Sequence, residues 1–86
     1  MDPYKVIKNP SSTEKSIRLM ESENKLIFIV NKKATKRDIK KAIEEIFKAK
    51  VVAVNTFVSQ DGNKKAYIKF AMDTPAIDIA TQLGLI

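Results

Sequence analysis

Between Lys32 and Lys41 the chain sets six basic side chains, Lys32, Lys33, Lys36, Arg37, Lys40 and Lys41, against one acid, Asp38, a net +5 in ten residues. A second cluster, Lys64, Lys65 and Lys69, has Tyr67 within it, and in an extended segment Tyr67 and Lys69 alternate onto the same face. Clustered cations neutralise phosphates, and a ring among them can stack on a base or ribose. Asn55 and Thr56, polar in an otherwise apolar stretch, add side chains able to contact a phosphate or sugar. The chemistry on offer is recognition of a polyanion.

Catalysis has little to work with. There is no Cys and no His, so thiolate nucleophiles, imidazole bases, zinc ribbons and iron–sulfur clusters are excluded. Gly62 and Gly84, the two glycines, stand far apart, and no phosphate-cradling glycine loop can be written. Glu44 and Glu45 are neighbours on a helical stretch and point about 100° apart, so they do not form a facing acid pair. No enzyme activity, cofactor or metal is expected. The longest apolar run, Leu26 to Val30, is five residues, far short of a bilayer span or a leader core, so no membrane insertion is expected. The absence of Cys fits a reducing cytosol.

Eighty-six residues suffice for one small core, and a formal charge of +6 on so small a surface favours a polyanionic partner. The elements that must carry the basic residues read off in order. Tyr4 to Lys8 is expected as an edge strand ending at Asn9-Pro10. Ser11 to Glu14 reads as a Ser-x-x-Glu capping box opening a helix to about Ser22, with a thin apolar face of Ile17, Leu19 and Met20. Asn24 to Asn31 is apolar on both alternating faces, as an interior strand should be. Thr35 caps a helix to about Lys48, whose Ile39, Ala42, Ile43, Ile46 and Phe47 form one apolar stripe. Val51 to Ser59 and Ala66 to Ala71 form a hairpin around Asp61-Gly62. Thr74 as cap and Pro75 at the first helical position open a last helix with Ile77, Ala80 and Leu83, stopped by Gly84.

The pattern predicts a single α+β domain over residues 1–86, with a mainly antiparallel four-stranded sheet, a split βαβ unit and helices packed on it. Within it, Lys36 and Arg37 occupy a first helical turn and Glu44 and Glu45 come late, both against the helix dipole. On the helical wheel Arg37, Lys40, Lys41, Glu44 and Lys48 lie opposite the apolar stripe. Folding alone would reverse these charges. An anionic partner explains them.

Several blocks together resemble one known family. They are Pro10-Ser11-Ser12-Thr13-Glu14-Lys15, Asn24-Lys25-Leu26-Ile27-Phe28, Ala34-Thr35-Lys36-Arg37-Asp38-Ile39-Lys40-Lys41-Ala42-Ile43-Glu44, Val54-Asn55-Thr56 and Lys64-Lys65-Ala66-Tyr67. In this order they resemble the universal large-subunit ribosomal protein family numbered twenty-three, in its archaeal form, because only Ser59 to Asn63 stand where bacterial members carry a long basic hairpin extension. The resemblance implies a cytoplasmic, ribosome-bound monomeric domain with sheet order 1-2-4-3. It implies binding to large-subunit rRNA beside the peptide exit tunnel, next to neighbouring ribosomal proteins. It implies RNA contacts at Lys33, Thr35, Lys36, Arg37, Asn55, Thr56, Lys64, Lys65 and Tyr67, to which the two basic clusters add Lys32, Lys40 and Lys69. It also implies that Glu14 marks a docking point for the signal recognition particle or nascent-chain chaperones, whereas lining of the tunnel by the hairpin is not implied.

Two other readings compete. One is a free-standing single-stranded RNA-binding module shaped like an RNA-recognition motif, against which stands the missing aromatic strand signature, with only Tyr67 and Phe70 near the right place. The other is a small ferredoxin-like enzyme or ligand-binding domain, which lacks His, Cys and glycine-rich loops.

Overall fold

The computed structural model describes residues 2–11 and 13–84, with the side chain of Glu14 outside the description. In chain order the elements are α1 (Pro3–Val6), β1 (Ile7–Pro10), α2 (Glu14–Glu23), β2 (Lys25–Val30), α3 (Lys36–Phe47), β3 (Val51–Val58), β4 (Lys64–Phe70) and α4 (Ala76–Gln82). The strands form one antiparallel sheet in the order β1-β2-β4-β3. β4 thus lies between β2 and β3, the two strands that α3 connects, which is the split βαβ arrangement.

Register assigns the two faces. Opposite residues share a face, so Leu26, Ile68 and Val54 form one row and Phe28, Ala66 and Thr56 the next. This face carries the core: Phe28, Val30, Ile68 and Phe70 are almost fully buried against Ile39, Ala42 and Ile43 of α3, Val6, Met20, and Ala76, Ile79 and Ala80 of α4. Phe47 joins from the edge, its ring 6.1 Å from that of Phe28. Each large apolar side chain so buried contributes about 1.5–3 kcal/mol. The second face carries the rows Phe57, Lys65, Ile29 and Asn55, Tyr67, Ile27 and Ala53, Lys69, Lys25.

Local chemistry redraws several expected boundaries. Tyr4 to Lys8 is not one strand: the Asp2 carboxylate accepts from the Tyr4 amide (3.0 Å), Pro3 pre-sets the first turn, and a one-turn helix carries Val6 into the core before β1 begins at Ile7. The capping box of α2 is Thr13 with Ser16, not Ser11 with Glu14. The Ser16 amide donates to Thr13 Oγ1 (3.2 Å) and the Thr13 amide to Ser16 Oγ (2.8 Å), while the Ser11 amide is spent on Ile27 O (2.9 Å). At α4 the cap is Pro75, whose side chain bonds nothing, and Thr74 Oγ1 instead accepts from the Lys50 amide (3.4 Å). Ile17 and Ile77, expected on apolar faces, are 42% and 50% exposed, because the buried positions fall to Ser16 and Met20 in α2 and to Ala76, Ile79 and Ala80 in α4.

The end of α2 holds the most connected side chain of the fold. Asn24 takes the left-handed conformation (φ 56°) that stops the helix, one that Asn tolerates better than most residues. Its two amide hydrogens are shared among the carbonyls of Phe70 (3.1 Å), Ala71 (3.1 Å) and Thr74 (3.2 Å), and its Oδ1 accepts from the Ala76 amide (2.6 Å). One residue therefore caps α2 and supplies the first turn of α4 with the cap that Pro75 lacks. Asn24→Ala leaves these partly buried groups unpaired and strains the backbone, so we expect a loss of about 4–5 kcal/mol, at about 1 kcal/mol for each of the two amide hydrogens and the amide oxygen plus about 1–2 kcal/mol for the left-handed conformation. Urea unfolding checks this, and an unchanged midpoint contradicts it.

Candidate nucleic-acid interface

The basic run starts in a tight loop that the chain builds for itself. Asn31 Oδ1 accepts from the Lys33 amide (2.9 Å), and the Ala34 amide donates to Asn31 O (3.0 Å), which turns Lys32 and Lys33 outward and buries Ala34. Thr35 then caps α3 in a reciprocal box: the Asp38 amide donates to Thr35 Oγ1 and the Thr35 amide to Asp38 Oδ2, both 3.1 Å. The two hydrogen bonds from Thr35, backbone first, hold the Asp38 carboxyl below its ordinary value. Asp38 thus places a carboxylate at the helix N-terminus, where it offsets the two cations beside it.

The hairpin meets this loop. Lys64 Nζ donates to the Ala34 carbonyl (2.6 Å), and Lys32 Nζ lies 3.8 Å from where a Cβ on Gly62 would stand. The turn is tied by Ser59, whose single hydroxyl hydrogen is shared between Asp61 Oδ1 and Asn63 O (3.0 Å). The Ser59 hydroxyl first, then the Asn63 amide, keep the Asp61 carboxyl below its ordinary value. Two clusters separated by more than twenty residues in sequence thus share one end of the sheet. Lys32, Lys33, Lys36, Arg37, Lys40 and Lys41 are exposed, and among the described residues none has an ion-pair partner.

The other expected contacts divide by face. Asn55 and Tyr67 are opposite each other on the second face, with Lys65 and Lys69 in the adjacent rows. Thr56 points the other way, beside Ala66, because neighbouring strand residues alternate; Asn55 and Thr56 therefore cannot grip one phosphate together. Thr35 Oγ1 and Lys64 Nζ are engaged within the fold, so both residues shape the site as well as line it. Glu44, expected to face outward with the cations, is half-buried and accepts from the Val51 amide through Oε2 (3.2 Å), fastening the end of α3 to β3. That bond gives a carboxylate at an unfavourable helix end a structural task. The Glu14 side chain lies outside the described residues.

Several participants were missed in the sequence. Phe57, 36% exposed, stacks on Tyr67 with ring centroids 5.1 Å apart and 20° between planes. Its position two residues beyond Asn55 is the period-two signal that would have found it. Phe70, the aromatic weighed instead, is buried in the core. Lys15 and Leu19 of α2 also reach Tyr67, with Lys15 Nζ 5.7 Å from the ring centre. Lys25 sits directly opposite Lys69, a like-charge pair that costs stability in an antiparallel sheet, and Glu23 partly offsets it at 3.4 Å from Lys25 Nζ. Among the described residues no helix is long and apolar enough to cross a membrane.

Comparison with known proteins gives one consistent relationship. The family described as Ribosomal protein L23 matches residues 5–80. The chain is 51% identical over 85 residues to a Methanothermobacter thermautotrophicus protein named large ribosomal subunit protein uL23, the match covering 99% of each chain. It is 48% and 46% identical, with the same coverage, to proteins of that name from Methanococcus vannielii and Methanococcus aeolicus.

The two lowered carboxyls set an expected pH dependence. Asp38 and Asp61 titrate lower in the folded than in the unfolded chain, so their contribution is complete above the ordinary Asp pKa of about 4 and is lost as pH falls through the folded values. Asp38→Asn is expected to flatten the fall in melting temperature between about pH 5 and about pH 2, where Asp residues titrate. An acid limb identical to that of the parent protein refutes the Asp38 contribution.

Proposed function

This chain belongs to the ribosomal protein L23 family, a structural component of the large ribosomal subunit in the cytoplasm, and we propose that it works there by binding large-subunit rRNA through one basic surface. The observation that carries this reading is the junction of the Lys32 to Lys41 run with the hairpin, which gathers unpaired cations at one end of the sheet. Phosphate contacts dominate. Lys32, Lys33, Lys36, Arg37 and Lys40 form the positively charged rim; Lys65 and Lys69 continue it on the sheet; Lys64 and Thr35 hold its shape. Asn55, Thr56 and Tyr67 supply the shorter-range contacts to sugar and base. The whole chain acts as a single rRNA-binding domain, monomeric before assembly and beside other ribosomal proteins after it.

Charge reversal at Lys36 and Arg37 together tests the reading. Binding to a large-subunit rRNA transcript is expected to weaken, and its log–log salt slope to fall by about 0.7 to 0.9 for each phosphate that is no longer neutralised. Melting temperature is expected to hold or rise, because acids suit a helix N-terminus. Binding insensitive to salt overturns the reading.

We also assign Glu14 a docking role for the signal recognition particle or chaperones at the peptide exit. The box that caps α2 uses Ser16 at the position a capping carboxylate would take, so local structure does not require Glu14 for that purpose. A carboxylate on a chain of net charge +6 is a mark that a basic partner surface can select. Glu14→Gln is expected to leave melting and rRNA incorporation unchanged while weakening factor recruitment to purified ribosomes in co-sedimentation. Recruitment at the parent level refutes the assignment.

A further inference from the structure

The second face of the sheet carries a feature distinct from the phosphate-binding rim. Where α2 meets the sheet, Lys15, Leu19, Lys25, Asn55 and Tyr67 enclose a shallow depression of about 270 Å³. Its floor is the Tyr67 ring, braced by the stacked Phe57, and Leu19 forms an apolar wall. The Asn55 side chain makes no hydrogen bond among the described residues, although it stands directly across from Tyr67. The two cations at the rim differ. Lys25 is engaged by Glu23, while Lys15 holds its ammonium over the Tyr67 ring, a contact worth little when exposed to water.

We propose that this depression takes one unstacked nucleotide of the bound RNA. A flat apolar ring flanked by an unused amide and a movable cation matches the face of a base, its hydrogen-bonding edge and a phosphate. The base stacks on Tyr67, Asn55 offers both a donor and an acceptor to its edge, and Lys15 swings off the ring onto the phosphate. The Phe57–Tyr67 pair is too small to stack a run of bases, so the site reads a single extruded base and leaves the rest of the affinity to the basic rim. Leu19 and Lys15 make the site depend on α2, an element outside the two basic clusters. This inference rests on the rRNA-binding reading above.

The sequence supplies its own reporter. The chain has two tyrosines and no tryptophan, so Tyr4→Phe leaves Tyr67 as the dominant emitter. In that background we expect a large-subunit rRNA transcript to quench Tyr67 emission. Tyr67→Leu is expected to weaken transcript binding about tenfold, the scale of one base–aromatic stack, with an unchanged salt slope; Tyr67→Phe is expected to bind as the parent does. Asn55→Ala is expected to weaken binding less, and melting curves for each variant confirm folding. Parent protein that binds the transcript with Tyr67 unquenched, and a folded Tyr67→Leu that binds equally well, overturn the pocket while leaving the rRNA reading intact. Parent protein that does not bind the transcript at all overturns the rRNA reading itself.

Discussion

The fold depends on a single amide side chain that holds segments distant in sequence. Asn24 stops α2, then reaches forty-six to fifty-two residues ahead to the end of β4, the following turn and the start of α4. A small sheet with short helices has few such long-range polar ties, and Asn24 concentrates them where α2, β2, β4 and α4 converge. Because α2 and β2 are fixed there, the register of β2 against β4 is fixed as well, and with it which residues face the core and which face solvent. A one-residue slip would exchange Ala66, Ile68 and Phe70 for Lys65, Tyr67 and Lys69.

With the register set, the molecule spends stability on charge. Lys36 and Arg37 oppose the dipole of α3, and Lys25 lies directly across from Lys69. Each conflict has a local remedy: the Thr35–Asp38 box places a carboxylate among the first pair, and Glu23 engages Lys25. The remedies reduce the cost without neutralising the surface, since among the described residues none of the cations from Lys32 to Lys41 forms a salt bridge. Such a compromise suits a domain whose working state lies against a polyanion, where the partner supplies the missing counter-charge.

Not every charge against the dipole has this origin. Glu44 reads in the sequence as an acid at the wrong end of a helix, part of the same outward set as Arg37 and Lys40. In the fold it closes the turn through left-handed Lys48 by accepting from the Val51 amide, so its position answers to backbone geometry. Lys64 is similar: counted as one of a cluster of phosphate contacts, it also clamps the hairpin to the Ala34 loop.

Much of the architecture was legible in the residues themselves. The stripe from Ile39 to Phe47, the apolar run of β2, the hairpin at Asp61-Gly62 and the Lys32 to Lys41 run are local patterns, and local patterns survive folding because each is set by the period of its own element. The sheet order came from the split βαβ reading and the family resemblance together. What the sequence left open is what depends on partners far along the chain. The Ser-x-x-Glu pattern points to Ser11 as the cap until the Ser11 amide is claimed by Ile27 and Thr13 takes that place, and Tyr4 to Lys8 reads as extended until Val6 finds a place in the core. Asn24 looks like an ordinary strand start, since its four bonds join groups nearly fifty residues away. Phe57 and Lys15 become neighbours of Tyr67 only when β3 and α2 are brought to the same face. Periodicity determines which side of an element a residue takes, and tertiary packing alone decides what waits on that side.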